Sequence, residues 1–151
     1  NTNATERLRI DSSGNLLVGT TVSPSGQSGA IVQKMNGHSK ASLTYGLNAA
    51  GNGSTTVTLD LMTVLGIQNL TTCSIEITAG GYGNSQGGNF AFKGLRVGYT
   101  NGAQYQSLHT MINSVTNGSI SIGSGANTIS ITLNNTNGNG KLGTVRFDVT
   151  W

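Results

Sequence analysis

The sequence predicts an all-β protein: an antiparallel β-sandwich or jelly-roll-like head, entered through a short N-terminal hairpin. Three observations carry that expectation. Apolar residues recur at alternate positions in one segment after another. Val, Ile and Thr fill those segments. Asn-Gly pairs at 36, 52, 101, 117, 137 and 139 punctuate the chain. Period-two alternation suits a half-buried antiparallel strand. Asn-Gly is the strongest short hairpin signal, because both residues tolerate positive φ.

The composition agrees. The chain has 151 residues, enough for one domain with its own core. Hydrophobic residues make up 35% and charged residues 9%, and there are 23 glycines but one proline. Disordered chains carry high charge, much proline and few β-branched residues. This chain has the opposite bias outside its glycines, so it reads as folded, with a polar surface of amides and hydroxyls.

The elements follow in order. Glu6, Arg7, Leu8, Arg9 and Ile10 alternate, placing Leu8 and Ile10 on one face. Residues 11–14, DSSG, form a turn in which Gly14 supplies positive φ. NLLVG, 15–19, returns as a second strand, and TTVSPSGQSG, 20–29, is connecting chain by composition. ASLTYGL, 41–47, alternates through Ala41, Leu43 and Tyr45. TTVTLDLMTV, 55–64, aligns Val57, Leu59 and Leu61, and TTCSIEIT, 71–78, aligns Cys73, Ile75 and Ile77. NFAFKGLRVGYT, 89–100, shows Phe90 and Phe92, then changes phase to Leu95, Val97 and Tyr99, which predicts a bulge near Lys93 and Gly94. Residues 104–115 read two ways. Tyr105, Leu108, Met111, Ile112 and Val115 have helical spacing, while Tyr105, Ser107, His109 and Met111 alternate, and we favour the strand. SISIG at 119–123, NTISITLN at 127–134 and LGTVRFDVTW at 142–151 complete the set. Trp151 continues the phase of Val145, Phe147 and Val149 and is expected to be at least partly buried. The expected organisation is a shaft-like trimerising segment at 1–22, a linker at 23–29 and a sandwich tip at 30–151.

Little in the sequence points to catalysis. The net charge is +3, but the eight basic residues are scattered, so no nucleic acid is expected as a partner. No apolar run reaches 18 residues, so no membrane-spanning helix is expected. Cys73 lies on an apolar strand phase and reads as a small buried hydrophobe. Asp60, Glu76 and Asp148 sit on polar phases, where carboxylates guard strands against aggregation. Two of them meeting in a cleft would instead suit glycoside hydrolysis. No metal or cofactor motif surrounds His38 or His109. His109 repeated around a three-fold axis is the one arrangement that would make a metal site. No cofactor is expected, and the protein is not expected to be an enzyme.

Sugar binding is better supplied. Tyr82, Asn84 and Gln86 lie in GGYGNSQGGN, and Tyr99, Asn101 and Tyr105 lie in YTNGAQYQ. Aromatic faces cover the apolar side of a sugar, and neutral amides match its hydroxyls. His38 and Tyr45 are further candidates for contact.

ERLRIDSSGNLLVGTT, residues 6–21, closely resembles a segment of bacteriophage tail fibres and tailspikes, E-R-[ML]-R-I-D-x-x-G-N-[VL]-x-[VI]-G-T-[TS]. The match covers about a tenth of the chain. The resemblance implies a homotrimer in which Leu8, Ile10, Leu16 and Val18 face the interior, while Glu6, Arg7 and Arg9 face solvent or pair between chains. It further implies a place at the distal end of a virion's tail fibre, downstream of the rest of that fibre. The function it implies is non-catalytic attachment to a bacterial surface polysaccharide or lipopolysaccharide. The alternatives are a purely structural trimerisation cap and a fragment of a glycan-hydrolysing tailspike. Some fibres carry a removable helical, charged chaperone after this segment, and the sequence here is neither helical nor charged. Asn1 in place of Met fits a piece processed or excised from a longer fibre.

Overall fold

A computed structural model describes residues 8–20, 31–35, 38–67, 71–83, 88–99 and 106–151. Among these residues the chain is all-β apart from one five-residue helix. The strands are β1 (Leu8–Ile10), β2 (Leu16–Val18), β3 (Ile31–Met35), β4 (His38–Gly46), β5 (Ser54–Asp60), β6 (Thr72–Gly83), β7 (Phe90–Tyr99), β8 (Gln106–Val115), β9 (Gly118–Ser124), β10 (Thr128–Asn135) and β11 (Lys141–Thr150). The helix, α1 (Leu61–Leu65), follows β5.

Two sheets form. The larger runs β1-β2-β3-β4-β11-β6-β7-β8, and the smaller runs β5-β10-β9. Every pairing is antiparallel except β2 with β3. Strands β6, β7 and β8 succeed one another in the sheet; the chain then leaves through β9 and β10 and returns as β11 beside β6. That order is a Greek key. The two sheets bury one common core, in which Leu43, Ile75, Ile77, Val145 and Phe147 of the large sheet join Leu59, Ile129, Ile131 and Leu133 of the small one. This is sandwich packing, with each strand's alternate residues turned inward.

The hairpin β1–β2 is bonded into the large sheet through β3, with Leu16 opposite Ile31 and Leu17 opposite Val32. The expected linker, 23–29, lies outside the described residues. Gly14 in its turn has φ +78°, as the turn requires. Asn52 and Asn117 are the only non-glycine residues with positive φ among those described, and both open Asn-Gly turns. The pairs at 137 and 139 form a turn without it. Trp151 is half-buried against the core, and its backbone exchanges two hydrogen bonds with Ser39, of 2.7 and 2.9 Å. Cys73 is a buried free thiol.

Two local expectations need correction. The strand expected at 55–64 ends at Asp60. Its carboxylate accepts from the amides of Met62 and Thr63, at 3.0 and 2.9 Å, and caps α1. The helix closes at Gly66, with φ +64°. The phase of β7 does not change either. Its register with β6 is unbroken from Phe90 to Tyr99, so Phe90, Phe92, Gly94 and Arg96 face inward and Leu95 and Val97 outward. The irregularity expected near Lys93 and Gly94 is there, in the ladder between β7 and β8, which shifts register at Lys93/Gly94 and again at Leu95/Arg96 and skips Met111 and Leu108 on β8. Residues 106–115 are strand. The two skipped residues lengthen the apolar repeat from two positions to three, which is why the segment imitates a helix.

Candidate functional site

Three surfaces carry side chains beyond what the core needs. The first is the outer face of β1, β2 and β3. Leu8 stands opposite Val18, and Ile10 opposite Leu16. Leu16 in turn stands opposite Ile31. Pairs directly opposite share a face, so all five apolar side chains look the same way, away from the core. Leu8, Ile10 and Ile31 are 66%, 72% and 52% exposed. The opposite face holds Leu17 and Val32, both buried.

The turn beneath this face is built from the polar residues of the same segment. The Asp11 carboxylate accepts from the amides of Ser13 and Asn15, both at 2.9 Å, and from the buried Asn15 side chain at 2.8 Å. Asp, Gly and Asn thus do structural work in the turn, while the leucines and isoleucine are left for display. A groove of about 330 Å³ continues the same face, lined by Ile31, Gln33, Lys40, Ser42, Asp148 and Thr150.

The second surface is a cleft at the open edge of the sandwich. Strand β8 ends the large sheet and β9 ends the small one. A turn at Thr116 and Asn117 joins them, and the sheets part between them. The cleft holds about 200 Å³. Ile77, Phe92, Ile120 and Ile122 form its apolar walls, Gly94 leaves room, and Arg96, Thr110 and Asn113 supply polar groups. Arg96 lies opposite Ile75 in register, so its side chain turns toward the core side. Its Nη2 donates to the Ile122 carbonyl over a long 3.5 Å. Burial pulls the Arg96 pKa below its ordinary value. The Asn113 amide donates to the Ile120 carbonyl at 3.3 Å.

The third surface surrounds Tyr82, which is 60% exposed, with Leu142 directly opposite it on the outer face. Of the expected sugar-binding residues, Tyr82 is exposed on the outer face. Asn84, Gln86, Asn101 and Tyr105 lie outside the described residues, as do the side chains of Tyr99, His109 and His38. Tyr45 is half-buried against the core. It packs edge-on against Phe147, with ring centroids 5.8 Å apart, and burial raises its pKa.

The carboxylates resolve into separate roles. Asp60 caps α1. Glu76 and Asp148 do come together, directly opposite on β6 and β11. They stand on the outer face rather than in a cleft enclosing both. Lys93 Nζ lies 3.1 Å from Glu76, Arg146 Nε lies 2.7 Å from Asp148, and Ser42 Oγ donates to Asp148 at 2.7 Å. The Glu76–Lys93 pair neutralises charge across neighbouring strands, and the Arg146–Asp148 pair does so along β11. Among the described residues no group of three or more metal-ligating side chains converges.

Two polar residues were not singled out as core-facing by the sequence reading. Arg96 was assigned to the polar phase of a strand expected to bulge. Lys141 is fully buried, on the same inward phase as Val145, Phe147 and Val149. Its ammonium donates to the Gly88 carbonyl at 3.3 Å, tying the start of β11 to the chain just before β7. Parity was the available signal: both residues fall an even number of positions from buried neighbours. Compared with known protein families, with curated proteins and with solved structures, the chain matches none.

Proposed function

We propose that this chain is the distal, receptor-binding part of a bacteriophage tail fibre. It is a homotrimer that holds a host bacterium's surface polysaccharide or lipopolysaccharide without cleaving it. The observation that carries this reading is the apolar outer face of the hairpin, where Leu8, Ile10 and Ile31 stand exposed beside half-buried Leu16 and Val18. These five positions include the four that the fibre resemblance turns toward a trimer interior.

The energetics are favourable. Covering Leu8, Ile10 and Ile31 would contribute on the order of 1–2 kcal/mol each in every subunit. A three-fold assembly supplies that cover with copies of the same face. It also repeats any weak sugar site three times, so modest single-site affinity is enough on a repetitive cell surface. Exposed Tyr82 fits such a site, because an aromatic ring can cover a sugar's apolar face.

The test is adsorption of the purified protein to intact bacterial cells across a strain panel. The reading expects adsorption to some strains, weakened by Tyr82→Ala and by Tyr105→Ala in variants that melt as the parent does. A trimer that adsorbs to no strain would be a structural cap. Release of oligosaccharide from the bound cells would favour the hydrolytic alternative.

A further inference from the structure

The edge cleft has no part in covering the hairpin and lies away from Tyr82. We propose that it is a binding site for a sugar carboxylate, with Arg96 as the anchoring residue. This deepens the attachment reading above and rests on it only for the source of the sugar.

Several observations converge. A guanidinium carries five donors in a planar fork. Among the described residues Arg96 uses one of them, on Ile122, and makes no ion pair. The fork stands beside a cavity, Thr110 and Asn113 face it from β8, and Gly94 contributes no side chain to fill it. A partly desolvated cation beside an open cavity favours an anionic guest.

The chemistry selects the kind of anion. Carboxylate and guanidinium form two parallel hydrogen bonds in one plane. A phosphate dianion would call for a second cation, and among the described residues Arg96 is the only charged side chain lining the cleft. Phe92 and Ile77 are buried beneath the cleft, so a guest meets mostly the polar groups of its lining, which suits a carboxylate carried on a hydroxyl-bearing ring. The small volume admits one such residue, not an oligosaccharide. Thr110 Oγ1 and the Asn113 side chain are the available partners for ring hydroxyls. A uronic acid residue of an acidic polysaccharide has these features together.

The experiment is an amide-proton NMR titration of the full chain with glucuronate, glucose and inorganic phosphate in turn, up to about 50 mM. Saturable shifts with glucuronate, centred on Gly94, Arg96, Thr110 and Asn113, are expected, with glucose silent and phosphate weaker. Arg96→Gln should weaken glucuronate about ten- to hundred-fold, the effect of losing hydrogen bonds to a charged group. Arg96→Lys, which keeps the charge but not the fork, should also bind more weakly than the parent. No shift with glucuronate, equal response to glucose, tighter binding of phosphate, or undiminished binding by folded Arg96→Lys would each overturn the proposal. Cell adsorption by the parent with no response to glucuronate would overturn it and leave the attachment reading standing. Glucuronate binding at the cleft by a protein that adsorbs to no cell would uphold the site and remove the attachment reading.

Discussion

Lys141 is a solvent-shielded ammonium at the start of β11, with the Gly88 carbonyl 3.3 Å from its nitrogen. Burial lowers its pKa below the ordinary 10.5. Between the lowered value and 10.5 the unfolded chain therefore binds more protons than the folded one, and stability rises with pH in that window. The expected outcome is that the parent gains stability relative to Lys141→Met as pH rises toward 10.5. Denaturant melts of both proteins at several pH values check it, and parallel slopes would count against it. Lys141→Ala, which leaves a cavity as well, should be the less stable variant, by about 2 kcal/mol or more relative to Met. At Asp60 the sign is simpler. Its carboxylate satisfies two amides of α1, so Asp60→Ala should cost about 1 kcal/mol and Asp60→Asn much less. Thermal melts distinguish the two.

At the level of elements, close backbone contact decides what each strand tolerates. Gly81 and Gly143 are directly opposite on β6 and β11, and the Phe90 ring lies over both. A Cβ at Gly143 would sit 2.5 Å from Phe90 Cζ and one at Gly81 would sit 2.6 Å from Cε1. Gly143→Ala is therefore expected to destabilise by about 1–3 kcal/mol through overpacking, measurable by urea unfolding. Trp151→Ala should cost about 2 kcal/mol, less than a fully buried aromatic, because the indole covers the core from one side.

The strands were legible where alternation is strict. Ile75 and Ile77 on β6, and Val145, Phe147 and Val149 on β11, are buried as their parity implies. They became illegible where the ladder departs from period two. Met111 and Leu108 fall outside the pairing of β8, so the segment fits two periods at once. The turn from β5 into α1 was hidden because Leu59 and Leu61 continue one alternation across the capping Asp60. The cleft was hidden for a related reason. Leu95 and Val97 suggested an apolar phase, yet pairing with β6 turns Arg96 inward at an edge where the sheets separate. Pairing between distant strands, which no single segment encodes, settled that orientation. The hairpin's apolar residues were visible from the start, because Leu8, Ile10, Leu16 and Val18 keep one parity on each side of a turn that Asp11 and Gly14 define.

On the scale of the whole molecule, the large sheet presents an outer face of mixed character. Its middle carries ion pairs and hydroxyls, from Glu76 and Lys93 to Arg146, Asp148 and Ser42. Its β1–β3 end is apolar and continues into the groove beside Ile31. A contiguous exposed apolar patch rimmed by polar groups marks an interaction surface. Replacing two of its members with charges should abolish assembly while sparing the fold, since Leu17 and Val32 hold the hairpin from the other side. The measurement that bears most directly on the central proposal is therefore the solution mass of the parent and of Leu8→Asp/Ile10→Asp, by mass photometry or light scattering at micromolar concentration. The account predicts three times the 15.5 kDa chain mass for the parent and the single-chain mass for a folded double variant. A monomeric parent, or a double variant that remains trimeric, would contradict it.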